Sequence, residues 1–222
     1  MANVLLIDGY SILNRAFYGI PLLTNAEGLY TNGVYGFLNI LFKVMDEEKA
    51  DYLAVAFDVH EKTFRHKTYE AYKGTRKGMP PELLSQVPVL QEVLKSMEIP
   101  CIECPGFEAD DILGTLSVVY EKLGHHVTLL SGDRDLLQLA TEHVKISIPK
   151  TKMSGTQIEH YYAADVLEKY GVTPTEFIDL KALMGDASDN IPGVPGIGEK
   201  TASKIISTSH SIEEAHAHAL EL

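Results

Sequence analysis

The chain has no tryptophan and only two cysteines, Cys101 and Cys104, among its 222 residues. Two thiols cannot build a disulfide scaffold, and a reducing cytoplasm is the expected compartment. Their CIEC spacing suggests a redox or zinc motif, but zinc wants four ligands and there is no second pair. Two small apolar residues in a strand are the simpler reading. No apolar run approaches a membrane span, and MANVLLIDGY is too short and too soon acidic for a signal peptide. No membrane association is therefore expected. Positive charge is scarce as well, with 19 Lys and Arg against 31 Asp and Glu, a net charge of −12. Taken alone, that balance argues against a nucleic-acid partner. The scarcity is uneven, however: between Lys62 and Lys77 stand six Lys or Arg and one acid, Glu70.

What the chain does have is an ordinary globular composition, 45% hydrophobic and 23% charged, enough for one large domain or a domain with a small appendage. Apolar runs at 4–8, 53–58, 99–103, 126–133 and 144–149 read as strands. Helical patterns lie between them at roughly 33–47, 82–98, 109–123 and 134–141. This alternation predicts an α/β fold with a mostly parallel central sheet and helices on both faces. In such sheets ligands sit outside the carboxyl ends of the strands, and three of these strands run into Asp8, Asp58 and Asp133. After about residue 150 the character changes. A helix is expected over 173–185, with Thr173 as N-cap and Gly185 closing it, followed by a glycine-rich turn and another helix from Glu199. The predicted division is an α/β core at 1–165, containing a segment at about 60–98, and a helical module at 166–222.

GFEADDI (106–112) puts Glu108, Asp110 and Asp111 at the start of a predicted helix. The helix dipole favours each anion by roughly 0.3–1 kcal/mol. Two carboxylates about 4 Å apart repel by about 4 kcal/mol at an effective dielectric near 20. The dipole loses, so something positive must sit among them. In an empty protein, mutual repulsion should raise the pKa of all three acids.

Asp8, Asp58, Glu108, Asp110, Asp111, Asp133, Asp135, Asp186 and Asp189 each fall in a short motif at the end of an element. Singly, such residues are ordinary turn formers and caps, and Asp135 could cap the helix that follows it. Jointly they carry nine of the excess negative charges, leaving −3 for the rest of the chain. Oxygen-only donors point to Mg²⁺ or Mn²⁺ rather than Zn²⁺. Two divalent ions about 4 Å apart clamp the attacking and leaving oxygens of a phosphodiester. Metal-dependent phosphoryl chemistry is the reading that follows.

In the basic segment, Arg65, Tyr69, Tyr72 and Arg76 stand at i, i+4, i+7 and i+11, one stripe if the segment is helical, with Lys73 beside it. Cations interleaved with aromatics suit single-stranded nucleic acid, while a solvated helix packed through its tyrosines is the alternative. GVPGIGEKTA fails as a P-loop because Glu199 stands where lysine is required. Gly193, Gly196 and Gly198 instead form a glycine-rich turn into a helix N-terminus, with Lys200 and Thr201 close by. That arrangement holds phosphate without reading bases. A tight interhelical turn is the plain alternative.

Together these motifs, from LLIDGYSILNRAF to GDASDNIPGVPGIGEKTA, resemble the 5′-nuclease family, which includes the 5′→3′ exonuclease domain of bacterial DNA polymerase I and the flap endonucleases. The resemblance implies a helical arch at 60–98, a helix–three-turn–helix at 193–202 that also holds K⁺, and two-metal removal of 5′ flaps and RNA primers. It implies Asp8, Asp58, Glu108, Asp110 and Asp111 around a first Mg²⁺, and Asp133, Asp135, Asp186 and Asp189 around a second, with Mn²⁺ as a substitute. Lys73 corresponds to the lysine that contacts the scissile phosphate, Arg76 to its partner, and Tyr72 to an aromatic that stacks on the unpaired end. Arg15 and Arg65 match basic positions beside the site. Expected substrates are DNA with a 5′ flap, nick or single-stranded 5′ end and RNA-primer hybrids, cut by a monomer. Family domains continue past this point with further helices and, in polymerase I, a polymerase, so the chain is expected to be a fragment or a shortened relative. Two rivals are a PIN-like ribonuclease, which has no need of the 185–205 module, and a non-catalytic DNA-junction binder, against which every acidic position is filled.

Overall fold

The computed structural model describes residues 1–152 and 155–219. The chain opens with β1 (Asn3–Asp8), α1 (Gly9–Gly19), α2 (Asn32–Glu48) and β2 (Tyr52–Ala56). Three short helices follow, α3 (Phe64–Thr68), α4 (Pro81–Leu84) and α5 (Gln86–Ser96), then β3 (Cys101–Ile102), α6 (Ala109–Lys122) and β4 (His126–Leu130). A 3₁₀ helix (Asp135–Leu139) leads into β5 (Val144–Lys152), β6 (Gly155–Tyr161) and α7 (Ala163–Tyr170). The chain continues through α8 (Glu176–Met184), β7 (Gly185–Asp186), β8 (Ile191–Pro192), α9 (Glu199–Ser209) and α10 (Ile212–Ala217). Among the described residues no helix is long and apolar enough to cross a membrane.

Six strands form one sheet in the order β3-β2-β1-β4-β5-β6. All pairings are parallel except β5 with β6, so the mostly parallel sheet expected from the alternation is present. β1 is central, and its side chains alternate between faces. Leu5 and Ile7 join Phe37, Leu41, Leu90 and Leu94 on one side. Val4 and Leu6 join Val127, Leu129 and Leu113 on the other. That second core also takes in Phe177, Leu180, Ala202 and Ile206, so α8 and α9 are built into the core that covers the sheet.

Several elements differ from the sequence reading. α1 begins directly after Asp8, where a simple turn was an open alternative, because the Asp8 carboxylate accepts the Ser11 N–H at 3.0 Å and caps the helix. The 134–141 helix shrinks to one 3₁₀ stretch, cut short when Ala140 turns extended. α8 starts at Glu176, not after Thr173. Thr173 and Glu176 still cap one another, the Thr173 N–H donating to Glu176 at 2.7 Å and the Glu176 N–H to Thr173 Oγ1 at 3.3 Å. The stripe of Arg65, Tyr69, Tyr72 and Arg76 does not exist: α3 ends at Thr68 and Tyr69 is already extended.

One buried side chain ties the helical layer together. Thr31 precedes α2 without capping it; instead Gln86, fully buried, accepts the N–H groups of Gly33 at 2.7 Å and Val34 at 3.1 Å. Its amide nitrogen donates to Asn32 Oδ1 and the Glu82 carbonyl, both at 3.0 Å. Removing the Gln86 amide strands two buried donors. Gln86→Leu should therefore lower stability by about 2 kcal/mol or more, measured as the urea midpoint, and an unchanged midpoint would show that water caps α2 equally well.

Candidate functional site

The carboxyl ends of β1, β2 and β4, the start of α6 and the β7–β8 loop surround two adjoining clefts of about 380 and 430 Å³. Asp8, Asp58, Glu108, Asp110, Asp133 and Asp189 line the first. Glu108, Asp110, Asp111, Asp133, Asp135 and Asp189 line the second, so four carboxylates form the wall between them. Eight of the nine acidic residues singled out in the sequence thus meet. Asp186 lines neither cleft and is drawn aside by Lys181, whose Nζ lies 3.0 Å from Asp186 and 2.9 Å from Asp135.

Several of these carboxylates are held by backbone or hydroxyl donors, some local and some brought from distant segments. Asp8 is buried, and besides capping α1 it accepts from Ser131 Oγ at 2.9 Å. Asp58 reaches across to the Ala109 N–H at 2.7 Å and caps α6 from a different strand. Glu108 and Asp111 form the capping box of α6. Asp133 accepts the Asp135 N–H at 2.9 Å. Asp186 gathers the N–H groups of Ser188 and Asp189 within its own loop. That loop is pinched by glycines: Gly185 has φ of +70°, and a β-carbon there would lie 2.2 Å from the Gly193 nitrogen.

The something positive demanded by GFEADDI comes first from the protein's own cations. Arg65 forks onto Asp111 through two bonds of 2.7 and 2.8 Å, and Lys73 Nζ sits 2.9 Å from Glu108. Burial works against Asp111 ionising, but the Arg65 fork and the Glu108 N–H prevail and hold it below the usual carboxylate range. This corrects the expectation that all three acids would be raised. Asp110 is raised, to about 8, by burial first and then by Asp8, Asp133 and Asp58. Asp8 is raised to about 6 for the same leading reason, although its Ser11 and Ser131 bonds pull the other way.

Tyr72 is also placed differently from the sequence reading. It is buried, with its hydroxyl donating to Glu108 at 3.0 Å, so its ring is not free to stack on a base in this conformation. Tyr69 is exposed. The 71–76 segment is fastened to the β7–β8 loop: the Lys73 N–H donates to the Asp189 carbonyl at 2.9 Å and Asn190 to the Ala71 carbonyl at 2.9 Å. Arg76 pairs with the Asp189 carboxylate and donates to the Ser188 carbonyl at 3.2 Å. Lys73 adopts φ of +55° to make this turn. Arg15 stands aside in a separate cleft with Asn39 and Lys43. Lys200 and Thr201 are exposed in the first turn of α9, and Gly198 is its N-cap. Sequence reasoning missed Ser131 and Lys181, since a lone Ser in a strand end and a Lys inside an apolar helix carry no pattern.

The donors fit a hard divalent ion. They are all oxygens, and Asp110 Oδ1 is buried with no hydrogen-bond partner. Among the described residues no three acidic, His or Cys side chains close into a finished cage.

With this geometry in place, family comparison is decisive. Residues 3–171 match the N-terminal resolvase-like domain of the 5′-3′ exonucleases, and residues 172–222 match their C-terminal SAM fold. The chain belongs to the 5′-3′ exonuclease family. It is a phosphodiester hydrolase. It is 50% identical over 220 residues to DNA polymerase I of Bacillus caldotenax, covering 99% of this chain and 25% of that protein. With DNA polymerase I of Bacillus subtilis (strain 168) it shares 49% over 212 residues, 96% of this chain and 24% of that one. The chain therefore spans about a quarter of the length of the curated relatives it matches. Two solved structures share its fold at 25% identity, each covering 96% of this chain and 77% of the other. They are the T5 D15 protein co-crystallised with metal ions, at a TM-score of 0.72, and T5 5′-exonuclease with bound zinc, at 0.75.

Raised carboxylate pKa values have a measurable consequence. The unfolded chain releases the Asp8 and Asp110 protons near 3.8, while the folded metal-free protein keeps them to about 6 and about 8. Their contribution to stability is therefore complete below the unfolded value and is lost as pH rises through the folded ones. Urea unfolding in EDTA should show wild type losing stability relative to Asp110→Asn between pH 5 and pH 8. A constant difference would contradict the raised value for Asp110.

Proposed function

We propose that this 5′ nuclease cuts DNA, and RNA-primer hybrids, at 5′ flaps, nicks and single-stranded 5′ ends. The observation that carries the reading is the convergence of eight carboxylates from five chain segments beside a basic segment fastened across them. Asp8, Asp58, Glu108, Asp110 and Asp111 are assigned to one Mg²⁺, and Asp133, Asp135, Asp186 and Asp189 to a second, with Mn²⁺ able to replace either. Divalent zinc ions bound to T5 5′-exonuclease support a divalent cofactor. Bound there, such ions would stabilise the charge that develops on the attacking and leaving oxygens of the phosphodiester.

The chain's own residues supply the rest. Asp110 gives up its proton when the ions bind, since the ionised form is the ligand. Lys73 and Arg76, released from Glu108 and Asp189, turn to the scissile phosphate and offset its transition-state charge. Asp186 takes part once Lys181 yields it. Tyr69 is assigned to the unpaired strand, with Arg15 and Arg65 on its backbone. Tyr72 keeps Glu108 in place and serves stacking only if the 71–76 segment lifts. Residues 166–222 act as the duplex-holding module, with Gly193, Gly196, Gly198, Lys200 and Thr201 on the phosphates and K⁺ bound through the 193–202 carbonyls. Residues 1–165 cut. We place this activity in the cytoplasm, in a monomer that works beside a polymerase segment of a longer protein, as its DNA polymerase I relatives suggest.

Asp110→Ala should abolish Mg²⁺-dependent cleavage of a 5′-flap duplex while binding stays measurable, and full activity in that variant would sink the assignment. Lys73→Met should slow single-turnover cleavage by on the order of 100-fold, with EDTA abolishing cleavage by the wild type. Cleavage that persists in EDTA would rule out the metal assignment.

A further inference from the structure

Four cations line the two clefts: Arg65, Lys73, Arg76 and Arg134. Three of them are committed, Arg65 to Asp111, Lys73 to Glu108 and Arg76 to Asp189. Arg134 is not. It is exposed, and among the described residues it makes no ion pair and no side-chain hydrogen bond.

This is an odd state for a guanidinium in a chain of net charge −12 with an aspartate on either side of it in sequence. Both neighbours are engaged elsewhere: Asp133 accepts the Asp135 N–H, and Asp135 pairs with Lys181. Arg134 begins the 3₁₀ helix, whose tight turn sends successive side chains in different directions. Its guanidinium is therefore left unpaired by the acids that its position in sequence offers.

Its surroundings indicate where it reaches. Its positive charge favours ionisation of the Tyr161 and Tyr170 hydroxyls, at the ends of β6 and α7, against the burial that opposes it. Glu199, the first residue of α9, acts on the same Tyr170 hydroxyl. Arg134 and the α9 N-terminus thus share a neighbour, and Arg134 lines the cleft as well. It is the one committed-to-nothing cation, among the described residues lining the clefts, on the side toward the helical module. A phosphodiester offers two unesterified oxygens that a planar guanidinium meets with two parallel N–H bonds.

We propose that Arg134 grips a backbone phosphate of the nucleic-acid strand where it passes from the catalytic cleft to the helical module, fixing affinity and placement rather than the rate of bond breaking. The inference rests on the nuclease reading above. A phosphate contact of this kind is blind to sequence and appears in the salt dependence of binding.

The test uses the whole chain with a fluorescent 5′-flap DNA duplex, Ca²⁺ replacing Mg²⁺ for binding and Mg²⁺ present for cleavage. Arg134→Gln should weaken binding about tenfold, and the slope of log K against log salt should fall by about one. Its KM should rise by a similar factor while kcat stays within about threefold of wild type, and Arg134→Lys should recover part of the affinity. Wild-type affinity and salt slope in Arg134→Gln would overturn the proposal, as would a loss in kcat at constant KM. Failure of the wild type itself to bind or cut the duplex would count against the nuclease reading and remove the phosphate that Arg134 is said to hold.

Discussion

Mutual repulsion among carboxylates is the constraint around which the molecule is arranged. Parallel strands deliver Asp8, Asp58 and Asp133 to one edge, and the start of α6 adds Glu108, Asp110 and Asp111. At that density the Coulomb cost exceeds anything helix dipoles return. The chain tolerates it by three devices. Backbone N–H groups cap Asp8, Asp58 and Asp133; cations cover Glu108, Asp111 and Asp189; and Asp110 holds on to its proton to about pH 8. Among the described residues, Asp110 Oδ1 is the one buried carboxylate oxygen left without a partner.

The covering cations also fasten the 71–76 segment to the β7–β8 loop. Arg76 and the Lys73 N–H reach Asp189, and Asn190 reaches back to Ala71. The loop they bind begins where α8 ends, and α8 is packed in the core through Phe177 and Leu180. The Arg76–Asp189 pair is half exposed on its Arg76 side, and exposed pairs are worth only about 0–1 kcal/mol. A buried apolar contact sets where the loop stands; the ion pairs decide only which partner its carboxylate takes.

Much of this was legible in the sequence because it rests on local pattern. The strands at 4–8 and 126–133 are continuous apolar runs ending in acid, and β1 and β4 lie there. α2, α6 and α9 follow their helical periodicity closely. The acidic set was visible because each member sits at an element end. What was not legible depends on contacts distant in sequence. The 65–76 stripe assumed a helix, but Tyr72 gains more by entering the interior against Glu108 than by extending α3. β6 is an edge strand of mixed polarity and α7 has only eight residues, so neither offers enough periods to read. Gln86 capping α2 from 53 positions away leaves no trace in either segment.

The fate of GFEADDI illustrates the difference between composition and geometry. Three adjacent acids were expected to behave alike, yet they diverge because a helix turn sends their side chains in different directions. Asp111 and Glu108 point back to cap one another's backbone and meet Arg65 and Lys73. Asp110 lines the cleft at the sheet edge, where the charges that act on it most are those of Asp8, Asp133 and Asp58. Two acids are thereby stabilised by protein and one is left requiring a cation. A segment of uniform charge becomes a site by an uneven division of partners, and the member without a partner is the one on which a divalent ion has most to gain.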